Sequence, residues 1–225
     1  MVHRVLQRFG FRFSSPQPTP LSTCHLLSAP PSDKSVEPSG LYPELVGFLM
    51  YLMTCTRPDL AYPLSLLVRY VASGGHRKVH WDAAKRVLRY LCSTLGMGLV
   101  LGGRGPVVLT SHADASWVDD SATQRSSQAY TFSLEQPRSP PVLYVDNKVM
   151  IALCQEHRLE HRTKHIALRY FLVRDLQQRG QICLAYVATR ASTADIFTKA
   201  LLPGDHQRFS IVLGLVPTLP HLLTS

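Results

Sequence analysis

The chain has 225 residues, enough for one large domain or two small ones. Hydrophobic residues make up 45% and charged ones 17%, a globular composition that excludes a disordered chain. A formal net charge of +9 and a pI of about 9.6 suit a polyanionic partner, most commonly nucleic acid; the alternative is a basic surface kept for solubility.

Cysteines stand at 24, 55, 92, 154 and 183, an odd number with no CxxC spacing. This argues against a disulfide framework, a disulfide-linked partner or a zinc site, and for a reducing intracellular compartment, cytoplasmic or nuclear. The most apolar stretch, residues 45–53, is far shorter than the roughly 20 residues a membrane-spanning helix needs, so no membrane partner is expected.

Residues 1–32 carry Arg4, Arg8 and Arg12, several serines and no acidic side chain before Asp33, a composition that an organellar transit peptide would share. Residues 14–40 are rich in Pro and Ser, which removes backbone donors and disfavours helix, so an extended linker is expected. From 42 to 94 the period is helical. Leu45, Phe48, Leu49 and Leu52 form one stripe. Leu60, Leu64, Leu67 and Val71 form a second, after Pro58 at a helix start. Trp81, Ala84, Val87, Leu88 and Leu91 form a third over 79–91, with Lys78, Lys85, Arg86 and Arg89 elsewhere on that helix. Beyond Gly96 the period shortens. Residues 98–101 and 107–110 read as strands joined by the turn at 102–106, and 129–134 as another strand. Residues 142–145 read as a buried strand, 147–154 and 165–178 as helices ending at Gly180, and 182–187 as the last strand. Ser192 or Thr193 is placed to cap a terminal helix from Ala194 onward. Strands followed by alternating helix and strand imply an α/β layer with a mixed sheet.

Three aspartates stand out within that layer. Asp114 lies in His112-Ala113-Asp114-Ala115-Ser116-Trp117, Asp146 ends Leu143-Tyr144-Val145-Asp146, and Asp195 lies in Ala194-Asp195-Ile196-Phe197-Thr198-Lys199. Singly, each has an ordinary reading, as a turn residue, an N-cap and a first-turn carboxylate favoured by the helix dipole. Together they match what a hard divalent cation such as Mg²⁺ needs, carboxylates converging from separate elements. Two such ions stabilise the attacking and leaving oxygens of a phosphodiester cleavage.

Residues 107–202 resemble the ribonuclease H domain at the C-terminal end of copia-type retrotransposon polyproteins. The matching pieces are the motif at 112–117, Arg125-Ser126-Ser127-Gln128-Ala129-Tyr130, residues 143–147, His161-Arg162-Thr163-Lys164-His165-Ile166 and residues 194–199. Upstream, Tyr42-Pro43-Glu44-Leu45-Val46-Gly47, Thr56-Arg57-Pro58-Asp59-Leu60-Ala61-Tyr62 and residues 81–91 resemble the segment that connects reverse transcriptase to ribonuclease H. Leu6-Gln7-Arg8-Phe9 and Thr19-Pro20-Leu21 resemble the end of the reverse transcriptase.

The resemblance implies a four-carboxylate Mg²⁺ site, with Asp114, Asp146 and Asp195 as three of its metal ligands and catalytic groups. It also implies RNA–DNA hybrid as substrate. The family's Glu lies in a helix between the second strand and the strand at 143–147. Here Tyr130-Thr131-Phe132-Ser133-Leu134 runs almost directly into Glu135-Gln136-Pro137-Arg138-Ser139-Pro140-Pro141, so several tens of residues are missing, including one strand and the Glu-bearing helix. Glu135 falls in no matching motif and is not the missing ligand. A deletion and a mispredicted splice both produce such a junction. Geometry permits closure, because residues 135–141 reach about 23 Å when extended and must cross two strand spacings, about 10 Å. Loss of the helix uncovers part of a sheet face.

Trp117-Val118-Asp119-Asp120 imitates a polymerase signature but falls after the first ribonuclease H strand, so no polymerase site is expected. His157, His161 and His165 recur every four residues, but Arg158, Arg162 and Lys164 between them disfavour a metal. Over residues 157–179 six basic side chains, among them Arg158, Arg162, Lys164 and Arg169, oppose Glu160 and Asp175. This stretch is the expected nucleic-acid contact, because a hybrid duplex is recognised through shape and phosphates; a solvated helix face is the alternative.

The expected organisation is a reverse transcriptase remnant and linker over 1–40, a helical connection segment over 41–105, a truncated ribonuclease H-like mixed α/β sheet over 106–205 and a tail over 206–225. The expected function is that of a retrotransposon Pol remnant whose ancestral Mg²⁺-dependent hybrid cleavage is lost. The alternatives are a non-catalytic nucleic-acid-binding fragment and a functionless relic.

Overall fold

The computed structural model describes residues 1–23, 40–72, 76–100, 109–116, 127–134, 140–155 and 167–217. The chain forms two compact units: Met1–Leu101 with Lys199–Ser225, and Gly102–Thr198. The first unit is therefore discontinuous, and the second is inserted into it.

The discontinuous unit is helical. Its elements are α1 (Val2–Arg8), α2 (Leu41–Cys55), a 3₁₀ turn (Pro58–Leu60), α3 (Ala61–Leu67), α4 (Arg69–Ala72), α5 (Lys78–Ser93) and α8 (Pro203–Val212). The apolar stripes read from the sequence become its core. Leu45, Leu49 and Leu52 of α2, Leu60, Leu64 and Leu67, and Ala84, Val87, Leu88 and Leu91 of α5 are buried together with Val5 and Leu6 of α1. Burying a leucine side chain contributes about 1.5–3 kcal/mol, so this shared cluster is the main reason the helices associate. Phe48, Val71 and Trp81, also on the expected stripes, pack at its margin. The Pro-rich stretch starts as a packed strap: Thr19 and Leu21 are buried. The Gln17 N–H donates to the Arg89 carbonyl (3.4 Å), and Ser93 Oγ donates to the Gln17 carbonyl (2.8 Å). Residues 24–39, the remainder of that linker, lie outside the described residues.

A buried ion pair, Arg57 with Asp59, lies within this unit. Arg57 is 2% exposed and Asp59 0%. The guanidinium forms a fork on the carboxylate, Nε to Oδ1 at 3.0 Å and Nη2 to Oδ2 at 2.7 Å. Nη2 also donates to Thr94 Oγ1 (2.8 Å), and the Tyr90 hydroxyl donates to Asp59 Oδ2 (2.6 Å). Burial opposes the charge on Arg57, but the hydrogen bond and negative charge of Asp59 outweigh it and raise its pKa. Burial, helped by the charge of Asp59, raises the Tyr90 pKa and keeps it a donor. His206 of α8 closes the group, edge-on to the Tyr90 ring at 5.3 Å. Burial lowers its pKa, with Asp59 pulling the other way.

The strand expected at 98–101 forms as β1 (Met97–Leu99) and pairs antiparallel with β6 (Leu215–Pro217). Of the strand expected at 107–110, residues 109–110 belong to the other sheet, and residues 101–108 lie outside the described residues. Apolar alternation names no partner, and the chain return through α8 brings β6 alongside β1. Gly214 makes that return possible. Its φ is +90°, and a Cβ there would lie 2.8 Å from the Val100 carbonyl oxygen. The Val100 N–H donates to the Gly214 carbonyl at 2.9 Å.

The inserted unit is α/β with a mixed sheet. Strands β2 (Leu109–Ser116), β3 (Ser127–Leu134), β4 (Val142–Val145) and β5 (Cys183–Tyr186) lie in the order β3-β2-β4-β5. β2 and β3 are antiparallel over eight paired positions, and β2–β4 and β4–β5 are parallel. The connection from β3 to β4 therefore crosses two strand spacings, as the sequence argument required. Helices α6 (Lys148–Gln155) and α7 (Ala167–Gln178) pack on each other, and α6 packs on β5. Gly180, with φ +66°, follows α7 in the left-handed conformation that commonly ends a helix. The terminal helix expected from Ala194 is replaced by a 3₁₀ segment, Thr193–Phe197. Ser192 precedes it without a side-chain capping bond, and its buried Oγ has no hydrogen-bond partner among the described residues. The α-helix begins only at Pro203, whose fixed φ suits a first turn.

Candidate functional site

The register of the two central strands positions the first two aspartates. Ala113 of β2 is the partner of Val145 of β4. One residue further along each parallel strand come Asp114 and Asp146, on chains about 4.8 Å apart. Both thus stand at the C-terminal ends of adjacent parallel strands, where ligand sites of α/β sheets are commonly found. Asp114 is 7% exposed, and Asp146 is partly buried.

The third aspartate arrives from the 3₁₀ segment, which packs against β2 and β3. Asp195 is 5% exposed. Thr198 ties it to the strand: its hydroxyl donates to the Asp114 carboxylate, and its N–H donates to the Asp195 carbonyl at 3.2 Å. Thr198, buried at 1%, was not singled out from sequence, although it lies inside the motif that carries Asp195. The only available signal was a hydroxyl three residues beyond an acidic one. Two residues before Asp114, the His112 ring stacks on its cross-strand partner Tyr144 at 4.9 Å. Burial lowers the His112 pKa, favouring the neutral ring.

Oxygen donors of this kind suit Mg²⁺. However, among the described residues no three His, Cys, Asp or Glu side chains converge to hold a metal ion. Asp114 and Asp146 lie side by side at one end of the sheet, and Thr198 links Asp114 to Asp195. Of the expected nucleic-acid contacts, Arg169 lies on α7, whereas Arg158, Arg162 and Lys164 lie outside the described residues, as do His157, His161, His165, Glu135 and residues 117–120. Among the described residues, no helix is long and apolar enough to cross a membrane.

No family model and no solved structure matches the chain. Curated relatives do, among them retrovirus-related Pol polyproteins. The chain is 28% identical over 263 residues to that of transposon TNT 1-94 from Nicotiana tabacum, covering 95% of this chain and 20% of that protein. It is 29% identical over 263 residues to that of transposon RE2 from Arabidopsis thaliana, covering 96% and 18%. Transposon RE1 of the same plant gives 27% over 261 residues, again 96% and 18%. The chain is similar over nearly its whole length to these retrotransposon Pol polyproteins, and it spans about a fifth of their length. The matches are longer than the chain. Set against its 225 residues, 263 aligned positions leave at least 38 in the tobacco relative with no counterpart here.

Proposed function

We propose that the inserted unit is a ribonuclease H-like domain of a retrotransposon Pol polyprotein that no longer cleaves RNA–DNA hybrid. The observation that carries the ribonuclease H reading is the parallel register setting Asp114 beside Asp146, with Thr198 linking Asp114 to Asp195. The loss of cleavage is supported by the absence of a converged ligand set among the described residues and by the positions that relatives have and this chain lacks. We place those positions between β3 and β4, where the sequence passes directly into Glu135. There they would supply a further strand and the Glu-bearing helix. In a working enzyme of this class the carboxylates hold Mg²⁺, which supplies charge stabilisation at the phosphate. In this chain Asp114 also accepts a hydrogen bond from Thr198.

The basic character of the chain supports retained binding to nucleic acid through phosphates, with Arg158, Arg162, Lys164 and Arg169 as contacts. The test is incubation of the full chain with a hybrid carrying a labelled RNA strand, in Mg²⁺. Salt-sensitive binding without cleavage is expected. Cleavage that disappears in Asp114→Asn would overturn the reading.

A further inference from the structure

We propose that the outer edge of β3 is a self-association surface, on which a second copy of this chain pairs β3 with β3, antiparallel, across a two-fold axis. The inference rests on the sheet and holds or fails independently of the reading of the carboxylates.

Strand β3 lies at one edge of the four-stranded sheet and pairs with β2 over its whole length, from Ser127 to Leu134. In an antiparallel strand, alternate residues direct both N–H and C=O away from the paired neighbour. An edge strand therefore presents a row of backbone donors and acceptors, which soluble proteins guard with charges, proline, bulges or short length. The β3 sequence Ser-Gln-Ala-Tyr-Thr-Phe-Ser-Leu contains no charge, no proline and no glycine, and its register with β2 has no bulge. The opposite edge differs. Strand β5 has only four residues, and the Lys148 ammonium stands 4.6 Å from the ring of its last residue, Tyr186.

A second copy suits this edge for two reasons. An uncharged antiparallel edge brings no like charges opposite each other when it meets itself. A two-fold pair also closes, consuming both edges without leaving a growing end. Keeping each sheet face on its own side requires the axis to pass through a single residue. Tyr130 and Thr131 lie at the strand centre, and an axis through them pairs residues 127–133 or 128–134. Thr131 is buried, whereas Tyr130 is 68% exposed, so a charge placed at position 130 faces solvent and the second copy rather than the interior. A single ladder of this length buries less than a standard interface, so dissociation in the micromolar range or weaker is expected.

The test is sedimentation equilibrium of the nuclease-treated full chain from about 5 to about 500 μM. A monomer–dimer equilibrium is expected. Tyr130→Lys places like charges within reach of each other under either axis and should weaken the dimer by about tenfold or more. Tyr51→Lys, at an exposed position of α2, should leave it unchanged. Raising salt should strengthen the pair, because two copies of charge +9 repel, whereas association bridged by nucleic acid would weaken. Amide exchange of the unmodified chain supplies a readout that needs no variant, with protection of β3 rising with concentration. A monomer throughout, equal dimerisation of Tyr130→Lys, open-ended growth, loss of association with salt, or β3 exchange independent of concentration would each sink the proposal.

Discussion

In the helical unit the buried side chains are mostly leucines, valines and alanines of one continuous cluster, arranged around one ion pair. In the sheet unit, the buried set among the described residues holds Val145, Cys154, Ala194 and Ile196 against Ser111, Asp114, Thr131, Ser192, Thr193, Asp195 and Thr198. Apolar burial stabilises without regard to direction, whereas buried polar groups require partners at set distances. The helical unit is therefore specified by volume and the sheet unit by hydrogen-bond geometry. A unit of the second kind depends on its elements keeping their register, and it is the unit that holds the three aspartates.

The ion pair offers the largest test of this contrast. Asp59→Ala leaves a buried guanidinium and the Tyr90 hydroxyl without the carboxylate that both engage, and should cost about 3–5 kcal/mol. Urea unfolding followed by helical circular dichroism measures it. A loss under about 1 kcal/mol would show that the pair is dispensable to the core. In the sheet unit, Thr198→Val keeps the shape but removes the hydroxyl between Asp114 and the 3₁₀ segment. About 1–3 kcal/mol should be lost, with faster amide exchange in β2 and no change in α2 or α5. Equal exchange changes in both units would erase the distinction drawn between them. The smallest effect concerns pH. The folded His206 has a lowered pKa, so below the unfolded value of about 6.5 the unfolded chain takes up a proton that the folded one does not. Stability therefore falls as pH is lowered through that value. His112 adds the same sign in the sheet unit. Thermal midpoints measured at pH about 7.5 and about 5.5 should separate less in His206→Gln than in the unmodified chain.

Much of the helical unit was legible in the sequence because its signal is local. Leu45, Leu49 and Leu52, or Val87, Leu88 and Leu91, announce a buried face by spacing alone. The strands at 142–145 and 182–187 and the helices following Asp146 were legible for the same reason. Three features were not. The partner of β1 lies more than a hundred residues away, and alternation cannot name a partner. The role of Arg57 and Asp59 depends on Tyr90 and His206, which no local pattern links to Arg-Pro-Asp. The segment after Ser192 has the composition of a helix start, but the need to bring Thr198 onto the Asp114 carboxylate coincides with a tighter 3₁₀ path. At the site itself, motifs identified the three aspartates. Only the register showed that Asp114 and Asp146 are neighbours, and only side-chain placement showed that no three donors converge among the described residues.

The return of the chain at Lys199 has a consequence for tolerance to deletion. Because α8 and β6 rejoin the helical unit, everything from Gly102 to Thr198 is, for that unit, a single closed loop. The entropy of closing a loop grows only with the logarithm of its length, about 0.6 kcal/mol for each doubling. An insertion of 38 residues, the least by which the tobacco match exceeds this chain, would lengthen a loop from Gly102 to Thr198 by about two fifths. The helical unit thus feels the difference as only a few tenths of a kcal/mol, roughly thermal energy. Chain topology lets one half of the molecule change length while the other keeps its core.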